Sequence, residues 1–172
     1  METFSLDGIS YEAFNTSGGL GTLCETLAGK VSNLNYRSVR YPGHRDIMKM
    51  LLEDLRLIDH QSLLKEIFEA AIPFTYQDVV LVLINVTGMK NGQLVQESYA
   101  NKIYSQTMYG KLWSAIQITT AAGICGVVDL LAEGKLPRQG FVRQEDVSYE
   151  DFINNRFGRD YAKKQPAEAN VA

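Results

Sequence analysis

Apolar residues along this chain switch between a two-residue period and a three-to-four-residue period, and the switches mark its elements. It opens on a strand pattern, Phe4 and Leu6, with Asp7-Gly8 as a hairpin turn into a second strand from Ile9 to Phe14. Asn15 to Thr22 then holds Gly18, Gly19 and Gly21, and a glycine-rich turn into a short helix stopped at Gly29 is the economical reading. Val31 to Tyr41 reads as a strand that breaks at Pro42-Gly43, after which Ile47, Met48, Leu51, Leu52 and Leu55 recur at helical spacing. A second helix, from about His60 to Ala71, puts Leu63, Leu64, Ile67, Phe68 and Ala71 on one face, with Asp59 as its candidate cap and Pro73 closing it.

The continuous apolar run from Val79 to Val86 suits a central strand covered on both faces. Asn91-Gly92 is a hairpin turn, Gln93 to Gln106 the returning strand, and a further turn at Tyr109-Gly110 leads to Trp113. From Leu112 to Ala132 the chain is apolar almost all round. Ser114, Gln117, Thr119, Thr120 and Asp129 interrupt the run, and no basic cluster flanks it, which favours a buried helix over a membrane span. Ala121, Ala122, Gly123 and Gly126 would let another backbone element approach closely, and full burial would call for a second subunit or a further domain. Gly134 and Pro137 close this helix, Ser148 is the N-cap of another over Tyr149 to Arg156, and residues 163–172 are expected to be a disordered tail. The pattern predicts one α+β domain over 1–162, a mixed, largely antiparallel sheet covered by helices.

Composition narrows the classes of partner. The 172 residues are 45% hydrophobic and 22% charged with a formal net charge of -3, so there is no broad basic field for nucleic acid. Cys24 and Cys125 stand in no metal-ligand spacing, and with two histidines neither a zinc site nor a disulfide framework is expected. No signal-peptide pattern opens the chain, and a reducing cytoplasm is the expected compartment. The anion-friendly constellation is Asn15 to Thr22 with Arg37, Arg40 and His44, since glycines bring backbone N–H groups close, arginine matches a carboxylate, and histidine can donate or exchange a proton. The plainer alternative is a tight turn, a surface arginine and a helix-start histidine. Lys102 reads as a solvated strand residue and Trp113 as core. No serine sits in a nucleophile elbow, and neither cysteine has a basic neighbour in sequence.

Tyr11 to Thr22 (YEAFNTSGGLGT), Arg40-Tyr-Pro-Gly-His44 and Trp113 to Gly123 (WSAIQITTAAG) together resemble the C-terminal part of the bacterial saccharopine dehydrogenase family. Asn91-Gly-Gln, Asn101-Lys, Gly140 to Asp146 and Asn155-Arg-Phe-Gly158 extend the likeness over nearly the whole chain in order. The resemblance implies an NAD(P)-dependent oxidoreductase acting on the secondary amine of an amino acid. It also implies a Rossmann domain followed by an α+β domain similar to the C-terminal domain of glyceraldehyde-3-phosphate dehydrogenase, which binds substrate and forms a homodimer. By position Thr16, Ser17, Gly18 and Gly19 match the family's substrate-facing loop, and Arg40, Tyr41 and His44 its Arg-Tyr-x-Gly stretch. NAD or NADP would belong to the complete enzyme; the Rossmann half is missing from these residues, so neither is expected to bind this chain alone, and residues of about 112–160 would pack toward that half. The expected partners are a saccharopine-like amino acid and a second copy, with neither nucleic acid nor membrane. Carboxynorspermidine reduction, lysine 6-dehydrogenation, and a non-catalytic oligomerisation or amino-acid-binding module are the alternatives.

Overall fold

Asp7 and Gly8 adopt φ values of 52° and 78°, the backbone that a two-residue hairpin turn of matching twist demands. They join β1 (Glu2–Leu6) to β2 (Ile9–Phe14), in register from Leu6 opposite Ile9 to Glu2 opposite Ala13. The other edge of β2 pairs antiparallel with β3 (Ser38–Arg40), so β2 is the central strand of three. The strand predicted from Val31 is therefore much shorter. Ser38 already pairs with Phe14, the last residue of β2, and the earlier residues have no strand opposite them. A one-turn helix α1 (Leu23–Thr26) follows the glycine loop, and α2 (His44–Lys49) runs on through a π-helical turn at Met50–Asp54. A short 3₁₀ segment (Leu57–Asp59) leads into α3 (Gln61–Ala71). Asp59 does not cap α3; its carboxylate takes the Arg56 guanidinium at 3.0 Å instead. These elements form one compact unit, Met1–Phe74, and Thr75–Ala172 forms a second. The computed structural model describes residues 1–16 and 18–162, so the predicted tail lies outside the described residues.

In the second unit β4 (Val79–Lys90) and β5 (Gln93–Tyr104) form a twelve-residue antiparallel hairpin about Asn91-Gly92. Short strands β6 (Gln106–Met108) and β7 (Lys111–Trp113) form another about Tyr109-Gly110. Each turn again has positive φ at both central residues. The fold is α+β, as the sequence predicts. Among the described residues, however, the strands fall into three separate sheets, and every pairing is antiparallel.

The long helix α4 (Ala115–Ala132) starts three residues later than its apolar pattern, because residues 111–113 are taken by β7. Its first turn is fully satisfied. The Ser114 hydroxyl accepts from the Gln117 N–H, Gln117 Oε1 accepts from the Ser114 N–H, and the Asp78 carboxylate accepts from the Ala115 and Ile116 N–H groups at 2.8 and 3.0 Å. The orphan donors of a helix start are thus all matched.

Ala115, Ile118, Thr119, Ala122, Gly126 and Leu130 form one buried stripe along α4 at helical spacing. Against it lie α5 (Tyr149–Asn154), N-capped by Ser148 as predicted, and a 3₁₀ turn at Gly158–Tyr161. Gly126 of α4 does allow the approach expected of it, since a Cβ there would lie 2.8 Å from the Phe152 ring; in the 3₁₀ turn, a Cβ added at Gly158 would meet the Phe152 carbonyl oxygen. Tyr161 closes the packing. Its hydroxyl donates to the Thr119 carbonyl at 2.7 Å, and its own carbonyl accepts from Tyr99 and Asn101 on β5. Burial raises the pKa of the Tyr161 hydroxyl, so it remains a donor. Asp129 accepts two hydrogen bonds from the Arg156 guanidinium, at 2.6 and 3.0 Å, and one from Asn155 at 2.8 Å. The Arg156 bonds come first, and Asn155 second, in holding the Asp129 carboxyl below the usual range.

Two apolar surfaces predicted to be covered are open. α4 is buried on one side only, with Ile116, Ile124 and Val128 exposed, the second of them at 67%. By length and composition α4 could cross a membrane, yet a third of it is buried within the fold and Asp129 is ion-paired. β4 is half-buried from Val79 to Leu83 and exposed from Ile84 to Lys90. β4 meets α4 and has no third strand beside it among the described residues.

Two outcomes test this packing. Gly158→Ala should cost about 1–3 kcal/mol of unfolding free energy in urea titration, since backbone must move, whereas Gly88→Ala, with nothing within 4 Å of the new Cβ, should stay within about 0.5 kcal/mol. For Asp129, a lowered folded-state pKa means that its contribution is complete above the unfolded value and is lost as pH falls through the folded one. The melting temperature of the parent should therefore exceed that of Asp129→Asn at neutral pH, and the gap should close below about pH 3.9.

Candidate functional site

In β2, alternation sends Tyr11 and Ala13 to one face of the sheet and Glu12 and Phe14 to the other. Tyr11, 3% exposed, stacks between Phe4 and Tyr41 with ring centroids 5.6 Å apart on both sides. An aromatic row thus runs from β1 across β2 to the residue that follows β3. On the opposite face Glu12 is buried beneath the start of α2. Its two carboxylate oxygens accept separately from the Gly43 N–H at 2.9 Å and the Arg45 N–H at 2.6 Å. Phe14, next on this face, stacks on His44 with centroids 6.3 Å apart.

The first two motif segments therefore meet. Besides Tyr11 with Tyr41 and Phe14 with His44, the Thr16 and Ser38 hydroxyls are 2.9 Å apart. Tyr36 lies so close over Gly19 (φ 84°) that a Cβ there would sit 2.5 Å from its ring. Gly18 has φ 82° with open space around it. Arg40 is exposed and donates through Nη1 to the Val39 carbonyl at 2.7 Å. Tyr41 is 59% exposed despite its stack. His44 is exposed at the first position of α2, and Ser17 lies outside the described residues.

The start of α2 has the unpaired N–H groups that favour an anion, and Glu12 of the same chain occupies it. The nearby cleft, of about 580 Å³, is lined by Asn15 and Arg37 of the predicted constellation together with Phe14, Arg45, Lys49 and Glu53, whereas Thr16, Gly18, Gly19, Arg40, Tyr41 and His44 are not among its lining residues. Its arginines are partly neutralised. Arg37 pairs with Glu2, and its hydrogen bond, then its charge, lower the Glu2 pKa; Arg45 pairs with Asp46 at 2.7 Å, which raises the Arg45 pKa. Glu12, Tyr36 and Arg45 are the residues that sequence reading missed. A carboxylate between Tyr11 and Ala13 in an apolar strand was the available signal for the first; nothing local marks the other two.

The second unit carries a cleft of about 350 Å³ lined by Trp113, Ile118, Ala122, Phe157 and Arg159 among others, and none of the predicted site residues reaches it. Among the described residues no cluster of histidine, cysteine and acidic side chains could hold a metal. Both cysteines are unpaired thiols.

The chain matches no family model, no curated protein and no solved structure.

Glu12→Gln keeps one acceptor but turns an amide donor toward the second N–H, so unfolding free energy should fall by about 1–3 kcal/mol. Amide exchange at Gly43 or Arg45 should accelerate with it, while exchange in β1 should change only as far as global stability does.

Proposed function

We propose that this chain is the substrate-binding and dimerisation part of an NAD(P)-dependent oxidoreductase similar to saccharopine dehydrogenase, acting on the secondary amine of an amino acid in lysine metabolism. The observation that carries the reading is the ordered set of motifs, of which the first two come together across β2 and β3. In this reading the α+β chain corresponds to the domain similar to the C-terminal domain of glyceraldehyde-3-phosphate dehydrogenase, in the cytoplasm and as a homodimer. Arg40 takes a substrate carboxylate, because it is exposed and a guanidinium carries more N–H groups than the one it donates to Val39. The loop at Thr16, Ser17, Gly18 and Gly19 offers backbone N–H groups, Tyr41 a ring face, and His44 a polar edge.

The residues present do not fit a dinucleotide. That fold needs parallel strands joined through a helix whose N-terminus meets the pyrophosphate. Here the glycine loop leads to a one-turn helix, and all strand pairs among the described residues are antiparallel. No residue of this chain is therefore assigned to NAD or NADP, and the nicotinamide would be brought by a nucleotide-binding half outside it. Carboxynorspermidine reduction and lysine 6-dehydrogenation would use the same surface. The second reading is a non-catalytic oligomerisation or amino-acid-binding module, favoured by the exposed apolar length of β4 and by Glu12 filling the α2 start.

Calorimetric titration distinguishes them. Saccharopine should bind, and Arg40→Ala should weaken it about tenfold, the loss of about 1.4 kcal/mol expected for one charged hydrogen bond, with the melting temperature unchanged. Unchanged affinity with a lower melting temperature would make Arg40 structural. Tight binding of NADH or NADPH would sink the assignment of the cofactor to another half.

A further inference from the structure

We propose that the outer edge of β4 pairs antiparallel with the same edge of a second copy, in the register that sets Ile84 opposite Ile84 across a two-fold axis. The proposal stands on the strand itself and not on the oxidoreductase reading. β4 has twelve residues, about 40 Å at ordinary strand rise, and Lys90 is its one charged side chain. It contains no proline, and among the described residues its outer edge is paired with nothing. Long, uncharged apolar edges are what single-chain folds avoid, because the unpaired N–H and C=O groups template another strand. β5 is a poorer template, with Gln93, Gln96, Glu97, Asn101 and Lys102 along it.

The sequence of β4 selects both the occupant and the register. Lys90 and Gln93 flank the two-residue turn as a hydrogen-bonded pair, so even-numbered residues of β4 turn their backbone groups toward β5 and odd-numbered ones turn theirs outward. A two-fold axis perpendicular to the sheet keeps each face on its own side, so each residue meets one of its own parity. Centring on Ile84 sets Val82 against Val86 of the second copy, Leu81 against Thr87 and Val79 against Met89. It also sets Asp78 against Lys90 at both ends. Centring on Leu83 would put Asp78 against Gly88, and centring on Asn85 would put Lys90 against Val80. Only the Ile84 register closes with opposite charges. Both charges are available for this: the Asp78 carboxylate accepts two N–H bonds from α4 and keeps further lone pairs, and the Lys90 ammonium, 3.4 Å from Glu97 in an exposed pair within its own hairpin, has further N–H donors. Ile84 and Val86, 51% and 62% exposed, would become cross-strand neighbours.

In the full chain carrying Cys24→Ser and Cys125→Ser, Ile84→Cys should form an intermolecular disulfide under mild oxidation, since a central pair without mutual hydrogen bonds brings Cα atoms to about 4.5 Å, within disulfide reach. Val86→Cys alone should not, whereas Val82→Cys with Val86→Cys should. Sedimentation equilibrium should give a dimer for the parent. Lys90→Glu, placing like charges at both ends, should raise its dissociation constant about tenfold. Ile84→Lys should abolish the dimer while circular dichroism shows the fold retained. A monomeric parent at high concentration, equal cross-linking of Ile84→Cys and Val86→Cys, or a dimer indifferent to Ile84→Lys would overturn the proposal.

Discussion

Carboxylates on or just before a strand, each accepting two backbone N–H groups at the start of a following helix, hold both units in shape. Glu12 does this for α2, and Asp78 for α4. A helix start has donors with no partner inside the helix, and here the sheet supplies the acceptors. Each carboxylate therefore fixes where its helix begins and which face of the sheet the helix covers. Around Glu12 this fixes Tyr41 beside Tyr11 and His44 beside Phe14; around Asp78 it turns the buried stripe of α4 inward. The same bonds close those helix starts to outside anions, so substrate recognition in the proposed enzyme would fall to Arg40 and the glycine loop.

Much of this was legible in sequence, for reasons that separate by range. Asp7-Gly8, Asn91-Gly92 and Tyr109-Gly110 turn where expected because a two-residue hairpin is decided by the positive φ of its own two residues. Ser148 caps its helix because a cap reaches only three residues ahead. The start of α4 was misplaced although Ser114 and Gln117 carried the capping signature, since the apolar run hid it. What could not be read was pairing at a distance. Asp78 reaches Ile116 38 positions away, and Glu12 reaches Arg45 across 33. Nothing near Val31 reveals that β2 ends opposite Ser38, nor does the periodicity of α4 say which of its sides finds a neighbour.

The candidate site divides in the same way. Glycine conformation belongs to single residues, and Gly18 and Gly19 both take the positive φ that a glycine-rich turn uses. Their surroundings belong to the fold. Tyr36 over Gly19, Glu12 under Gly43 and the displacement of the cleft toward Arg37 and Arg45 come from pairing between distant segments.

Tyr161 carries a kinetic consequence. Its three bonds reach back 42, 60 and 62 residues to Thr119, Asn101 and Tyr99, so they close the largest loops among the hydrogen bonds described here. Loop-closure entropy must be met before such contacts return any stabilisation, and high sequence separation slows that step. The β4–β5 hairpin rests on near-neighbour bonds and can form early, whereas α4 also draws on Asp78 at its start. Until Tyr161 docks, the face of α4 at Thr119 and Gly123 lacks its partner, although Phe152 can already cover Gly126.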